Sequence, residues 1–183
     1  MKEMKNKTFI IWGVILVVAI VGLTVLAFQK GSSPPHQIST NLSKPFDAKA
    51  TVKMKDLVMV CDINKSAVGA CTIKIQEPKQ LKDMEFQYDG KDIKVSYKGL
   101  SVKLDENSKL ASSLAAVIVN SIDTAASPSG VDVKMVGKTV QITGKSDSGN
   151  FKIVLDKASG SIMTLTLPQL DFECNFDDFI FKK

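Results

Sequence analysis

The sequence predicts a mainly β protein with one long helix, preceded by a membrane-spanning segment at the N-terminus. Apolar residues alternate with polar ones through most of residues 46–181, one later stretch changes to helical spacing, and a run of 20 apolar or small residues lies near the start. Alternation is typical of half-buried antiparallel strands, whereas the other two patterns indicate an amphipathic helix and a membrane span.

The predicted membrane span covers residues 9–28, in which Thr24 is the one polar break. At about 1.5 Å per residue, such a helix is about 30 Å long and matches the hydrocarbon core of a bilayer. Lys2, Lys5 and Lys7 precede it, so the positive-inside rule places the N-terminus in the cytoplasm and the domain outside. Residues 1–30 are expected to be a cytoplasmic stub and an uncleaved anchor. The alternative is a cleaved signal peptide, although signal sequences usually have a shorter apolar region.

Residues 31–45 are rich in proline and small polar residues, which is typical of a linker. His36, the single histidine, lies in it. The remaining domain is expected to span residues 46–183.

The charge of the chain argues against nucleic acid as a partner. The formal net charge is +5, but the part after residue 30 holds 20 Lys against 18 Asp and Glu, and the chain contains no Arg. Sites that recognise phosphates or bases depend heavily on the bidentate guanidinium of Arg.

The alternating stretches predict about ten or eleven short strands joined by tight turns, and therefore a meandering antiparallel sheet. The first stretch begins at Phe46, and the last contains Phe172, Cys174 and Phe176 on one face. An Asp89-Gly90 turn signal and Gly99 divide the stretch from Met84 to Leu104 into three strands.

One helix is predicted at about residues 107–126. Its apolar residues recur at steps of three and four, which places them on one face. They are Leu110, Leu114, Val117, Ile118, Ile122 and Ala125.

The apolar face of so large a sheet needs cover, and one helix cannot cover a flat sheet of this size. The sheet is therefore expected to curl on itself, with the helix over the opening or inside the hollow. Two outcomes stay open at this point. Side chains fill the hollow, or a cavity remains for an apolar ligand.

Three stretches resemble the LolA-like family of bacterial lipoprotein carriers and sensors. They are "PFDAKATVKM", "CTIKIQEPKQLKDMEFQYDGKDIKVSYKGL" and "GNFKIVLDKASGSIMTLTLPQLDFECNFDDF". The resemblance covers almost all of residues 46–181. It implies an unclosed antiparallel half-barrel with a helical lid, whose hollow accepts acyl chains or docks a protein.

The chain departs from that family in three ways. The segment before the first strand is too short and proline-rich for the usual leading helix, and no Arg is present to bond to the lid from inside the hollow. An anchored protein also cannot shuttle between membranes. The resemblance therefore implies a tethered binding or sensing module of the cell envelope.

From these features we expect a single-pass membrane protein that holds a lipid or lipoprotein acyl chain. The alternative is a regulatory module with a packed barrel, which binds an envelope protein and no lipid. The expected lipid-binding residues are Phe86, Tyr88, Val95, Tyr97, Leu110, Leu114, Ile118, Phe172 and Phe176.

Cys61 and Cys71 fall on one face of neighbouring strands if the intervening turn centres on Ser66. They then form a disulfide, or remain two buried thiols. The chain has no C-x-x-C pair, no Gly-rich phosphate loop and no G-x-S-x-G motif. We therefore expect no cofactor, no metal site and no enzymatic activity.

Overall fold

The computed structural model of the protein describes residues 41–104, 114–127 and 129–182. Within these residues lie eleven strands, one α-helix and a short 3-10 helix at Pro168–Leu170. The strands are β1 Phe46–Met54, β2 Leu57–Ala67, β3 Ala70–Glu77, β4 Glu85–Tyr88, β5 Ile93–Tyr97, β6 Leu100–Leu104, β7 Val131–Val136, β8 Thr139–Ser146, β9 Gly149–Asp156, β10 Ile162–Leu167 and β11 Phe172–Phe181. Helix α1 spans Leu114–Ala126.

All eleven strands form one antiparallel sheet in the order β6-β5-β4-β3-β2-β1-β11-β10-β9-β8-β7. Strands β1 to β6 form one meander, and β7 to β11 form another. The two meanders join where β1 pairs with β11, with Phe46 opposite Phe181 and Met54 opposite Phe172. The expected count of ten or eleven strands and their meandering order are confirmed.

The sheet is curled around α1. The helix packs against β3 and β4 in one meander and against β8 and β9 in the other. Five steps separate β3 from β9 in the sheet order. In a flat sheet they would be about 24 Å apart, whereas a helix is only about 10–12 Å wide. The sheet must therefore curl around α1, which lies in its hollow. Because β6 and β7 do not pair, the curled sheet is an open half-barrel.

Alternation along the strands produces the core. Strand β1 buries Phe46, Ala48, Ala50 and Val52, and exposes or half-exposes the residues between them. The same parity holds in β3 and β9. The fold therefore follows from period-2 patterning on strands whose inner face is covered.

Turn geometry sets the register of the β5–β6 hairpin. Lys98 and Gly99 both have positive φ, of 48° and 82°, which is the geometry of a tight two-residue turn. This turn places Tyr97 opposite Leu100 and Val95 opposite Val102. Apolar side chains of the two strands consequently share one face.

One residue of the predicted linker at residues 31–45 contributes to the core. Leu42 is buried and belongs to the core cluster. The predicted membrane span at residues 9–28 lies outside the described residues. Within the described residues, no helix has the length and apolar character needed to cross a membrane.

Candidate functional site

Helix α1 fills the centre of the hollow. Nine of its 13 residues are buried, including Leu114, Val117, Ile118 and Ile122. A helix that is buried on most of its surface is a core element. The first part of the predicted helix, with Leu110, lies outside the described residues, while its end at Ala126 agrees with the prediction.

One charged pair lies inside the hollow. Lys65 is fully buried, and its Nζ is 2.9 Å from Oδ1 of Asp123 on α1. Nζ also donates a hydrogen bond of 3.0 Å to the carbonyl oxygen of Ala67, and the Gly69 N–H donates one of 2.6 Å to Asp123 Oδ2. These contacts connect α1 to the β2–β3 hairpin. Each of the two charges has a partner of opposite charge, so neither is buried in isolation.

The sequence reasoning missed this pair. The chain has no Arg to bond to the helix from inside the hollow, and Lys65 takes that position instead. The alternation on β2 does indicate that Lys65 faces inward, because it continues the series of inward residues Met59, Cys61 and Ile63. A charged residue at the end of an apolar inward series predicts a buried charge that needs a partner.

The three cysteines are free and buried. Cys61 and Cys71 both lie on the buried inner face, as expected, but they are not opposite each other, because Cys61 pairs with Ile75 and Cys71 pairs with Lys65. The β2–β3 turn lies at Val68 and Gly69, not at Ser66, and the register shifts between Lys65 and Ala67. The two thiols are therefore separated along the hairpin and form no disulfide.

Burial keeps these thiols protonated. Desolvation, with a smaller contribution from the Asp62 carboxylate, raises the pKa of Cys61 from 9.0 to about 12. Desolvation likewise raises the pKa of Cys71 to about 12, although the nearby Lys65 ammonium acts in the opposite direction. The pKa of Cys174 is also raised by burial. None of the three is a reactive thiolate near neutral pH.

An open apolar groove lies on the inner face of β4, β5 and β6, at one end of the sheet. Its volume is about 330 Å³, and we call it the β4–β6 groove. It is lined by Met84, Phe86, Val95, Tyr97, Leu100, Val102 and Leu104. Leu100 is 76% exposed and Val102 is 57% exposed, so this part of the inner face has no cover.

Polar contacts hold the ring of Tyr97 at the groove wall. Its hydroxyl donates a hydrogen bond of 2.7 Å to the carbonyl oxygen of Gln80. The ammonium of Lys98 lies 5.0 Å from the centroid of the same ring. The groove thus has an apolar lining with a cation at one side, which suits an apolar chain that ends in a negative group.

The structure distributes the described members of the expected lipid-binding set between the groove and the core. Phe86, Val95 and Tyr97 line the β4–β6 groove. Tyr88 is half-buried and packs against the core. The remaining described members, Leu114, Ile118, Phe172 and Phe176, are buried core residues.

Four lining residues were absent from the expected set: Met84, Leu100, Val102 and Leu104. They belong to the same alternating series as Phe86 and Tyr97, so parity alone could have identified them. Which members stay uncovered depends on where α1 lies, and parity carries no information about that.

No family model matches the chain, and no curated protein matches it. Several solved structures are similar to it at low sequence identity. An uncharacterised conserved protein of Thermus thermophilus is 10% identical, with 80% of this chain and 83% of that chain covered and a TM-score of 0.51. A LolA superfamily protein of Nitrosomonas europaea is 7% identical, with 81% and 92% covered and a TM-score of 0.46.

A DUF1329 family protein of Desulfovibrio piger is 9% identical, with 81% and 92% covered and a TM-score of 0.48. These similarities concern the fold and assign no activity. The open half-barrel with a helix in its hollow is the architecture that the LolA-like resemblance implied. That expectation is confirmed at the level of the fold.

Proposed function

We propose that the protein is a non-enzymatic binding protein that holds an acyl chain of a lipid or lipoprotein in the β4–β6 groove. We propose further that residues 9–28 anchor it in the cell membrane, with the N-terminus inside and the domain on the extracytoplasmic side. The main observation in support of the proposal is that the apolar β4–β6 groove is uncovered, whereas helix α1 fills the centre of the hollow.

The dimensions of the groove support a single chain. Its volume of about 330 Å³ is at the lower end of the range typical of small-molecule sites. Burial of one methylene contributes about 0.8 kcal/mol, so about eight buried methylenes would contribute about 6 kcal/mol before the costs of association. Apolar burial in the groove therefore offsets at least part of the cost of association.

Exposure of the lining supports the same conclusion. An apolar surface on an edge strand is a hazard for a soluble domain, and proteins usually cover or charge it. Leu100 and Val102 are instead left open on the inner face, while Lys103 occupies the alternate parity of the strand. A bound chain would remove this surface from water.

The test is native mass spectrometry of the full-length chain extracted from its own membranes, followed by the denatured mass of the same sample. We expect a bound mass of lipid size that disappears on denaturation. Val102→Asp places a charge in the groove and should remove the bound mass. Val58→Asp is the matched control, because Val58 is 54% exposed on β2 and does not line the groove. A wild-type chain without bound mass, or equal retention by both variants, would contradict the proposal.

A second candidate function has one observation in its favour. Helix α1 fills most of the hollow, which is the arrangement expected of a regulatory module with a packed barrel. In this candidate function, a protein of the cell envelope binds to the domain and covers the β4–β6 groove. This candidate predicts the bare polypeptide mass in the same experiment, together with a protein partner recovered by cross-linking in intact cells.

A further inference from the structure

The open half-barrel leaves two sheet edges, β6 and β7. In the described part of the chain, each has a hydrogen-bonded neighbour on one side only. An edge strand presents a row of unpaired N–H and C=O groups and is a template for another strand. The two edges differ in charge, and that difference indicates what each can pair with.

Strand β7 reads Val-Asp-Val-Lys-Met-Val. Asp132 and Lys134 are exposed, and their neighbours across β8 are the neutral residues Thr143 and Gln141. Neither charge forms an ion pair within residues 41–104, 114–127 and 129–182. Met135 and Val136 are exposed on the same edge. Strand β7 therefore carries one acid and one base that have no charged neighbour on β8, together with two exposed apolar side chains.

We propose that two copies of the chain associate through β7, paired antiparallel about a two-fold axis at Val133. In this register Asp132 lies opposite the partner's Lys134, and Lys134 lies opposite the partner's Asp132. Val133 lies opposite the partner's Val133, and Val131 lies opposite the partner's Met135. Every cross-strand pair is then either apolar or of opposite charge.

The symmetry of the strand is the argument for a second copy as the occupant. A two-fold interface requires a surface that is complementary to itself, and the acid and base of β7 lie at equal distances on either side of Val133. The pairing would join two half-barrels into one continuous sheet without changing either β4–β6 groove. The proposal is therefore independent of the proposed lipid binding.

Strand β6 is not complementary in charge to a second copy of itself. An antiparallel β6 pair centred on Val102 would place Lys103 opposite the partner's Ser101. Lys94 lies directly across from Lys103 on β5, and the Lys103 ammonium already forms an ion pair with Asp92 of its own chain. A β6 pair would therefore place no opposite charges across the seam, whereas the β7 pair places two such pairs there. Self-association is therefore expected at β7 and not at β6.

The test uses sedimentation equilibrium of the full-length chain in mild detergent. The wild-type chain should dimerise. Asp132→Lys and Lys134→Asp each convert two opposite-charge pairs into like-charge pairs, and each alone should dimerise roughly tenfold or more weakly. An equimolar mixture of the two variants should recover association, because every cross-strand charge pair is then opposite. The double variant carrying both substitutions should recover it as well.

The control is Ser101→Asp, which adds a charge to the β6 edge and should leave dimerisation unchanged. Thermal unfolding midpoints equal to that of the wild type would show that the variants are folded. A monomeric wild-type chain, a dimer that is indifferent to both single reversals, or a mixture that fails to associate would each overturn the proposal.

Discussion

The inner face of β9 is covered by helix α1, whereas the inner face of the edge strand β6 is open. On β9, Phe151, Ile153 and Leu155 are buried. On β6, Leu100 and Val102 follow the same alternation and are exposed. The local pattern is therefore the same, and the environment is different. Alternation predicts which side chains face the hollow, whereas a distant element decides whether they become core or binding surface.

The largest effect is expected where the helix is attached to the covered region. Lys65→Met removes the buried ammonium and leaves the Asp123 carboxylate without its partner, so we expect the free energy of unfolding to fall by about 3 kcal/mol or more. Urea denaturation would measure it. Lys65→Met combined with Asp123→Asn removes the unpaired charge and keeps an acceptor for the Gly69 N–H, so it should recover part of the loss. A double variant less stable than Lys65→Met would contradict this account.

A matched pair of leucines tests the comparison directly. Leu155→Ala leaves a cavity in the covered region and should lower the free energy of unfolding by about 2–5 kcal/mol. Leu100→Ala removes the same atoms from an exposed position and should change it by about 0.5 kcal/mol or less. Both values would come from urea denaturation of lipid-free protein. Equal losses would show that the β4–β6 groove is covered in solution.

The smallest effect on stability is expected for Val102→Cys. The rate at which the introduced thiol reacts reports whether the β4–β6 groove is open to solvent. The thiol introduced in the groove should react with iodoacetamide at about pH 8 as fast as an exposed cysteine, whose pKa is about 8.5. Cys61 and Cys71 should not react in the folded chain, because burial raises the pKa of each to about 12 and excludes the reagent. Peptide mass mapping would assign the modified sites. Modification of Cys71 at the rate of the introduced thiol would show that the core opens readily.

Much of the fold was accessible from the sequence because it depends on local patterns. The inward parity of β1 and β9 follows from period-2 spacing, and the β5–β6 hairpin follows from the turn at Lys98 and Gly99. Helix α1 followed from the change of period. Each of these features depends on residues that are close together in the chain.

The remaining features depend on contacts between distant residues. Lys65 finds Asp123 only because α1 enters the hollow beside the β2–β3 hairpin. The separation of Cys61 from Cys71 is an exception, because it follows from the local turn at Val68 and Gly69, where Gly69 has positive φ. Phe172 is expected from its inward parity to bind lipid, but it is a buried core residue. Inward parity does not reveal which part of the hollow the helix fills.

The central pairing of β1 with β11 has a consequence for how the chain folds. Every other strand pair joins neighbours in the sequence, so both meanders can begin to form from local contacts. The β1–β11 seam requires the two ends of the domain to meet, and closure of so long a loop is slow. We expect the seam to be the late step, and a chain cut before β11 to keep two hairpin arrays without a common core. Completion of the half-barrel therefore waits for the last strand to emerge during synthesis.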